Sequence, residues 1–490
     1  MNRLYAKAAA WRLFAAVSAM IGGIVGLRLT SQHLTPEVYG VIAVALQILA
    51  YLPLLDLGYR TVLNQRLLAT PTDLERGELA AFSQSYLSRL ALLLVVLGPV
   101  VLCVLSSTPR TKEVGLSFGF YAVMGGLGGL LAICQLQAGL LVGMGRQNQF
   151  AAVSGLGACA HLGALWFGYT RGWAEWAFVS AMLVNFSSSY IVSLLLIKRA
   201  RPALVIWPIR LSLDYAGRRD ALRHDAWQFF RGQVTVAVLF SVDLVLVGIV
   251  ATPAVAARYA IASRLFAIGK GLIQIFGEAA WPIIAEKGHI EDRLKAGLIY
   301  ATAVLYGSSA GAACVGIGPV MNWYLGEQWE VSGTIIWLLA ARFAITGVAS
   351  SLTYVLYGMG RFEVVRRILD RELILAIVLA ALMGPFFGAQ GIAVVFLVST
   401  GAGTVYVIFR AYAKETGDVA ERVWWRCWWR MSLSFVVSVV VGHWTMDWFR
   451  HGWQTLLGGA LAGGAGLSVC GATWWALTRC RAVTMERTGA

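Results

Sequence analysis

Arg28, Arg89, Arg231, Arg264, Lys270, Arg342 and Arg371 all stand inside long apolar stretches of this chain. The chemistry open to them is the holding of an anion, as a point charge for lysine and as a planar two-pronged donor for arginine. Lys270 and Arg342 lie near the middle of their stretches, and Arg264 is slightly shallower. With Arg28 and Arg231 they form the candidate anion-binding set. Asp56, Asp243 and Glu278 are the acidic counterpart, candidates for taking a coupling ion, Na+ or H+, or for gating a cleft. Arg264 and Glu278 are 14 residues apart (278 − 264), which leaves them about 40° apart around a helix, with Lys270 off to one side. The competing use of such charges is an internal ion pair that holds helices in register.

Catalysis is not indicated. No Walker A, HExxH or strand-borne GxSxG sequence occurs, and the seven cysteines show no metal-ligand spacing. No metal or bound cofactor is expected. His161 stands alone in its stretch without a carboxylate at helical spacing, as a core histidine does. Trp281 and Tyr354 are more readily packing residues than platforms for sugar rings.

The elements that must carry these residues are membrane helices. The chain is 58% hydrophobic and 13% charged, with a formal net charge of +15, well outside the composition of soluble domains. Its cations fall between apolar runs and not on a soluble face, which argues against nucleic acid as a partner. A helix needs about 20 apolar residues to cross a bilayer. Runs of that order cover 9–31, 38–63, 82–106, 114–142, 149–169, 174–198, 225–250, 254–285, 294–322, 331–358, 364–387, 389–412, 428–448 and 454–478. The expected fold class is therefore an all-α polytopic membrane protein of about 14 transmembrane helices. The first run is read as a span and not as a cleaved signal, because it exceeds signal length and no polar domain follows. Lys and Arg collect on one side of the spans, leaving Arg110, Lys112, Arg171, Arg258 and Arg450 on the other, so both termini are expected in the cytoplasm. The stretch WWRCWWR, residues 424–430, has the make-up of an interfacial anchor.

An internal repeat organises the spans. GMGR occurs at 143–146 and 358–361, and AWRLF at 10–14 answers AWQFF at 226–230. With a four-residue insertion, EVYGVIA at 37–43 also faces AARYAIA at 256–262. The same register brings Arg28 to the depth of Asp243, and Asp56 to that of Glu278. Six spans separate each pair, so the halves run in the same direction about an axis along the membrane normal. The organisation expected is an N-lobe over 1–200, a basic cytoplasmic linker over 201–224, a C-lobe over 225–415, and two further spans with a cytoplasmic tail over 416–490. Two six-helix lobes in a V shape point to alternating access, with a substrate path between them.

Residues 27–67, LRLTSQHLTPEVYGVIAVALQILAYLPLLDLGYRTVLNQRL, carry an LTPEVYG turn and an LDLG at the end of the second span, and GLLVGMGR closes the fourth. In these features the chain resembles the O-antigen and exopolysaccharide repeat-unit flippases of the multidrug/oligosaccharidyl-lipid/polysaccharide exporter superfamily. That resemblance implies a flippase, not an enzyme, which carries a polyprenyl-diphosphate-linked oligosaccharide from the cytoplasmic to the outer leaflet of the bacterial inner membrane through a cationic cavity. It implies as partners the lipid-linked substrate, membrane lipids, a polysaccharide polymerase and a chain-length regulator. Two other readings within the superfamily stand beside it. A multidrug or cation antiporter predicts a cavity dominated by carboxylates and aromatics. A lipid-linked peptidoglycan-precursor flippase has an arginine pattern in span 1 that Arg28 alone does not match.

Overall fold

The computed structural model describes residues 2–51, 54, 56–59, 62–63, 66, 73–107, 109–144, 146–200, 216–287, 292–358, 362–416, 419–448, 463–465 and 468. Their regular structure is entirely helical. The long helices are α1 (Asn2–His33), α2 (Pro36–Tyr51), α3 (Asp73–Ser106), α4 (Phe118–Gly143), α5 (Gln147–Thr170), α6 (Glu175–Ala200) and α7 (Ala216–Val250). They continue with α8 (Pro253–Lys287), α9 (Asp292–Leu325), α10 (Gly333–Gly358), α11 (Phe362–Val398), α12 (Tyr406–Thr416) and α13 (Val419–Trp448). Asn148–Thr170, Glu175–Arg199, Ile299–Leu325, Gly333–Ser350 and Glu363–Gly401 are long and apolar enough to cross a membrane, and Pro36–Tyr51, Ser88–Val104 and Phe118–Cys134 are shorter apolar segments. The all-α polytopic class is thus borne out. Much of the linker, most of the last expected span and the tail lie outside the described residues.

Helix boundaries follow local chemistry, and they repeat. Both α2 and α8 begin on the proline of a Thr-Pro pair, a residue whose fixed φ and missing N–H suit the first helical position. Thr35 Oγ1 accepts from Val38 N at 3.5 Å, and Thr252 Oγ1 accepts from Val255 N at 3.4 Å. The two starts are 217 positions apart (253 − 36). The four-residue insertion read from EVYGVIA and AARYAIA is therefore absent here: the capping threonine and the proline set the register, not the apolar pattern behind them. GMGR is equally regular. Helix α4 ends on Gly143 and α5 starts at Gln147; α10 ends on Gly358 and α11 starts at Phe362.

The chain divides into two compact units. The first comprises Met1–Gly248 with Thr252–Ala257, and the second comprises Ile249–Ala251 with Arg258–Ala490. Within the first, α3 packs on α4, α5 on α1, and α6 on α4 and α5. Small residues let these backbones touch: a Cβ on Gly98 would stand 2.1 Å from the Gly125 carbonyl oxygen. The turn after α2 is held the same way. Gly58 has φ +79, and a Cβ there would meet the Ala226 carbonyl oxygen of α7 at 2.2 Å. Tyr59, Val62, Leu63, Phe82, Leu222 and Ala226 form the apolar cluster around this contact, and Arg66 pairs with Asp225 at 2.9 Å beside it.

In the second unit α9 packs on α10 and on α13. Gly307 and Gly311 of α9, spaced as GxxxG, admit the α13 backbone: added Cβ atoms would lie 2.5 Å from the Met431 carbonyl oxygen and 2.4 Å from that of Phe435. Helix α11 breaks at Gly388 (φ 56, ψ −138), between the expected spans 364–387 and 389–412, and continues into a π-helical turn over Ser399–Val405.

Faces turned away from these contacts are apolar, as a bilayer requires. Leu92, Val96, Val100 and Val104 form an exposed stripe on α3, as do Ile374, Val378, Leu382 and Phe386 on α11. WWRCWWR is shared among three faces of α13. Trp425 and Trp429 are exposed, as is Trp444 further along, while Cys427 is buried. Trp424 lies 4.3 Å from the Phe409 ring, and the Arg430 guanidinium lies 4.2 Å from the Tyr300 ring.

Candidate functional site

Helix α11 presents a buried stripe of Val365, Ile368, Leu369, Ala376 and Ala380 at helical spacing. Glu372 occupies that stripe and is only 1% exposed, whereas its chain neighbour Arg371 points outward. A carboxylate there must be compensated. The Thr400 hydroxyl hydrogen-bonds to it, and Arg342 acts on it through its positive field. Thr400 belongs to the π-helical turn, a widened geometry found often at functional sites. The carboxylate's other oxygen, Oε2, is buried and accepts no hydrogen bond among the described residues.

Arg342, on α10, lays its guanidinium 4.8 Å from the ring centroid of the buried Phe396, one turn before Thr400. Lys270, on α8, is close enough for Arg342 to repel it. Both side chains are half-buried. An apolar cavity of about 220 Å³ in the same unit is lined in part by Leu265, Phe266 and Gly269 of α8, Ile317 of α9 and Phe343 of α10, and not by Lys270 or Arg342 themselves. Gly269 and Phe343 are the chain neighbours of Lys270 and Arg342. The arrangement therefore offers two cations, one carboxylate and an apolar recess, all within one unit.

The other sequence candidates have settings of their own. Arg264 is exposed on α8, about 120° around the helix from Lys270. Arg28 is half-buried on α1 and Arg231 exposed on α7, both in the first unit. Asp56 is buried and organises the turn after α2: its Oδ1 accepts from Gly58 N at 2.8 Å, and its carbonyl accepts from Tyr86 Oη at 3.3 Å. Asp243 is buried on α7 and accepts from Leu244 N at 2.9 Å. The Glu278 side chain lies outside the described residues. Glu372, Phe396 and Thr400 were not among the sequence candidates. The signal for Glu372 was its place at helical spacing between Ile368 and Ala376, on the apolar face and about 100° around the helix from Arg371.

Long helices with lipid-facing stripes, close small-residue crossings and charges held in a helical interior define a multi-pass α-helical membrane protein. The sequence profile described as "Polysaccharide biosynthesis protein" matches residues 5–287, and the chain belongs to that family. The resemblance read from the sequence is borne out at this level. The chain is 24% identical over 213 residues to a Shigella dysenteriae protein described as "Putative O-antigen transporter"; the match covers 43% of this chain and 52% of the relative, so the chain spans about half the relative's length. Among solved structures, it is similar to the lipid II flippase MurJ in an inward closed conformation, with TM-score 0.71 and 12% identity, covering 94% of this chain and 99% of that one. An inward-facing MATE-family multidrug transporter gives TM-score 0.58 at 14% identity, covering 83% and 99%. A Vibrio cholerae MATE transporter gives 0.56 at 14%, covering 86% and 99%. At these identities the likeness is one of fold.

Proposed function

We propose that this protein is a flippase that carries polyprenyl-diphosphate-linked oligosaccharide repeat units from the cytoplasmic to the outer leaflet of the bacterial inner membrane, for surface polysaccharide synthesis. The observation that carries the reading is the pair Lys270 and Arg342, two cations held within each other's field on apolar helices. Like charges brought together in a medium of low polarity attract an anion strongly, and a diphosphate is the anion that a lipid-linked glycan provides. The apolar recess lined by Gly269 and Phe343, the chain neighbours of Lys270 and Arg342, suits the first isoprene units of the lipid. The polysaccharide-biosynthesis family and the relative described as a putative O-antigen transporter support a transporter that serves polysaccharide synthesis.

In this mechanism 14 spans form two six-helix lobes and an extra pair, with both termini in the cytoplasm. The headgroup enters from the inside and is held by Lys270 and Arg342, with Arg264, Arg28 and Arg231 lining its path. Rocking of the lobes then exposes it outside. No covalent bond is made or broken. The protein replaces the water that a polar headgroup would lose in hydrocarbon, which is the barrier to unaided crossing. Asp56, Asp243 and Glu278 gate the cleft or take a coupling Na+ or H+. A polymerase and a chain-length regulator act on the flipped unit.

The test is mass spectrometry of polyprenyl-linked glycans in cells with and without the protein. Accumulation of one complete repeat unit on polyprenyl diphosphate, with loss of surface polymer, is the expected result. An unchanged lipid pool with new sensitivity to cationic drugs would replace this reading with drug export.

A further inference from the structure

We propose that Arg426, at the end of α13 that carries WWRCWWR, binds the headgroup phosphate of an anionic glycerophospholipid from the surrounding bilayer, with Trp425 and Trp429 packed along its acyl chains. The site uses none of the residues of the proposed transport path, and it holds whatever the protein transports.

Charge is set by the sequence. From Arg422 to Met446 the chain carries Arg422, Arg426 and Arg430, about one helical turn apart, and no Asp, Glu or Lys. Neither Arg426 nor Arg430 has an acidic residue three or four positions away on its own helix, the spacing at which a helical ion pair forms. The fold then places the stripe. Cys427 is buried, whereas Trp425, Arg426 and Trp429 are exposed. Arg426 stands about 60° around the helix from Trp429 and about 100° from Cys427, at the margin between the lipid-facing side and the packed side.

On the packed side is α9. Arg426 engages the hydroxyl of its buried Tyr300, and the Arg430 guanidinium lies 4.2 Å from the ring centroid of the same tyrosine. One tyrosine thus gathers two arginines where the helices meet. Like charges held together raise the local positive potential. A guanidinium has five N–H donors in one plane, so a bond to one phenol leaves Arg426 donors for a phosphate. Arg426 makes that contact, and Arg430 adds its field.

Depth and charge together choose the occupant. Exposed indoles settle at the headgroup level, so an arginine beside them stands where lipid phosphates stand. Helix α12 packs on α13 and ends three residues before it begins (419 − 416). Its Arg410 and Lys414 are exposed one turn apart, which places further positive charge at the same end of the pair. A zwitterionic lipid carries its own amine beside its phosphate. An anionic lipid does not, and cations at this level hold it preferentially.

The test uses the purified full-length protein, stripped of lipid in a neutral detergent. Dioleoylphosphatidylglycerol is added, with dioleoylphosphatidylcholine as the zwitterionic lipid of equal chains. A ligand of the folded state raises the midpoint of thermal unfolding, and native mass spectrometry counts the lipid retained. Phosphatidylglycerol should raise the wild-type midpoint saturably and remain as discrete adducts; phosphatidylcholine at the same concentrations should do neither. Arg426→Gln should weaken the phosphatidylglycerol response about fivefold. Arg426→Lys, which keeps the charge without the fork, should weaken it less. Arg199→Gln, at an exposed cation in the last turn of α6, should leave it unchanged. An equal response of the wild type to both lipids overturns the site, and that contrast stands even where a variant fails to fold. An unchanged response in Arg426→Gln overturns it too, as does an equal loss in Arg426→Gln and Arg199→Gln, which would mean general attraction to a cationic surface. Displacement of retained phosphatidylglycerol by an equal concentration of farnesyl diphosphate would give Arg426 to a prenyl diphosphate instead, and the proposal would fall.

Discussion

Arg342 and Glu372 share one interior without sharing a hydrogen bond: the guanidinium rests 4.8 Å from the Phe396 ring centroid, and the carboxylate hydrogen-bonds to Thr400. The arginine is thus oriented in part by an aromatic face. Arg342→Ala and Lys270→Ala are expected to abolish surface polymer and to accumulate the lipid-linked unit, with the protein still present in the membrane. Polymer made at the wild-type rate by both variants would remove these residues from the site. Arg342→Lys keeps the charge but loses the planar fork and its stacking. Such stacking amounts to about 0.5–2 kcal/mol, so transport by this variant should fall roughly tenfold.

The crossing of α9 and α13 admits no side chain at Gly311, where a Cβ would lie 2.4 Å from the Phe435 carbonyl oxygen. Gly311→Ala should destabilise the protein by about 1–3 kcal/mol, the usual cost of forcing extra volume into a packed contact. Gly318→Ala on the same helix meets only Ile336 at 3.8 Å and is the control. Thermal unfolding in detergent should separate the two variants, and equal midpoints would mean that the crossing does not limit stability.

Asp56 has a job in the turn after α2, since its Oδ1 takes the Gly58 N–H at 2.8 Å. Asp56→Ala strands that buried donor and should cost about 1–3 kcal/mol. Asp56→Asn retains an acceptor and should restore most of that stability. If Asn restores stability but transport is still lost, the charge itself is used, and Asp56 serves gating or ion coupling as well as the turn.

Arg66 and Asp225 make a well-formed ion pair at 2.9 Å, but with 56% and 43% of their side chains exposed the pair is screened by water. A double-mutant cycle on Arg66→Ala and Asp225→Ala should give no more than about 0.2–1 kcal/mol. A larger coupling energy would mean that the pair is shielded in the folded protein.

Much of the fold was legible because membrane helices announce themselves by length. The break at Gly388 falls between two expected spans, and both GMGR segments mark helix ends. Lys270 and Arg342 were legible because a charge at mid-depth interrupts an apolar run. Glu372 was not, because Arg371 and Glu372 read along the chain as an adjacent pair near a helix end. Only the buried stripe of Val365, Ile368 and Ala376 tells them apart. Thr400 was hidden for another reason: the small residues of STGAGTV permit a π-helical turn but do not specify one. The repeat register after α2 and α8 was misread because apolar alternatives look alike, whereas the Thr-Pro caps do not.

Helix α13 carries exposed indoles at both ends, Trp425 and Trp429 near one and Trp444 near the other. Trp425 and Trp444 are separated by about 28 Å along the axis, close to the roughly 30 Å of hydrocarbon in a bilayer. Tryptophan prefers the headgroup level, so the helix behaves as a ruler. It is locked to α9 at Gly307 and Gly311, and α9 packs on the helix that carries Arg342. Acyl-chain length should therefore act on this protein as a mechanical variable. A bilayer thicker or thinner than the ruler must tilt these packed helices together or deform around them, and in doing so it changes the depth of Arg342.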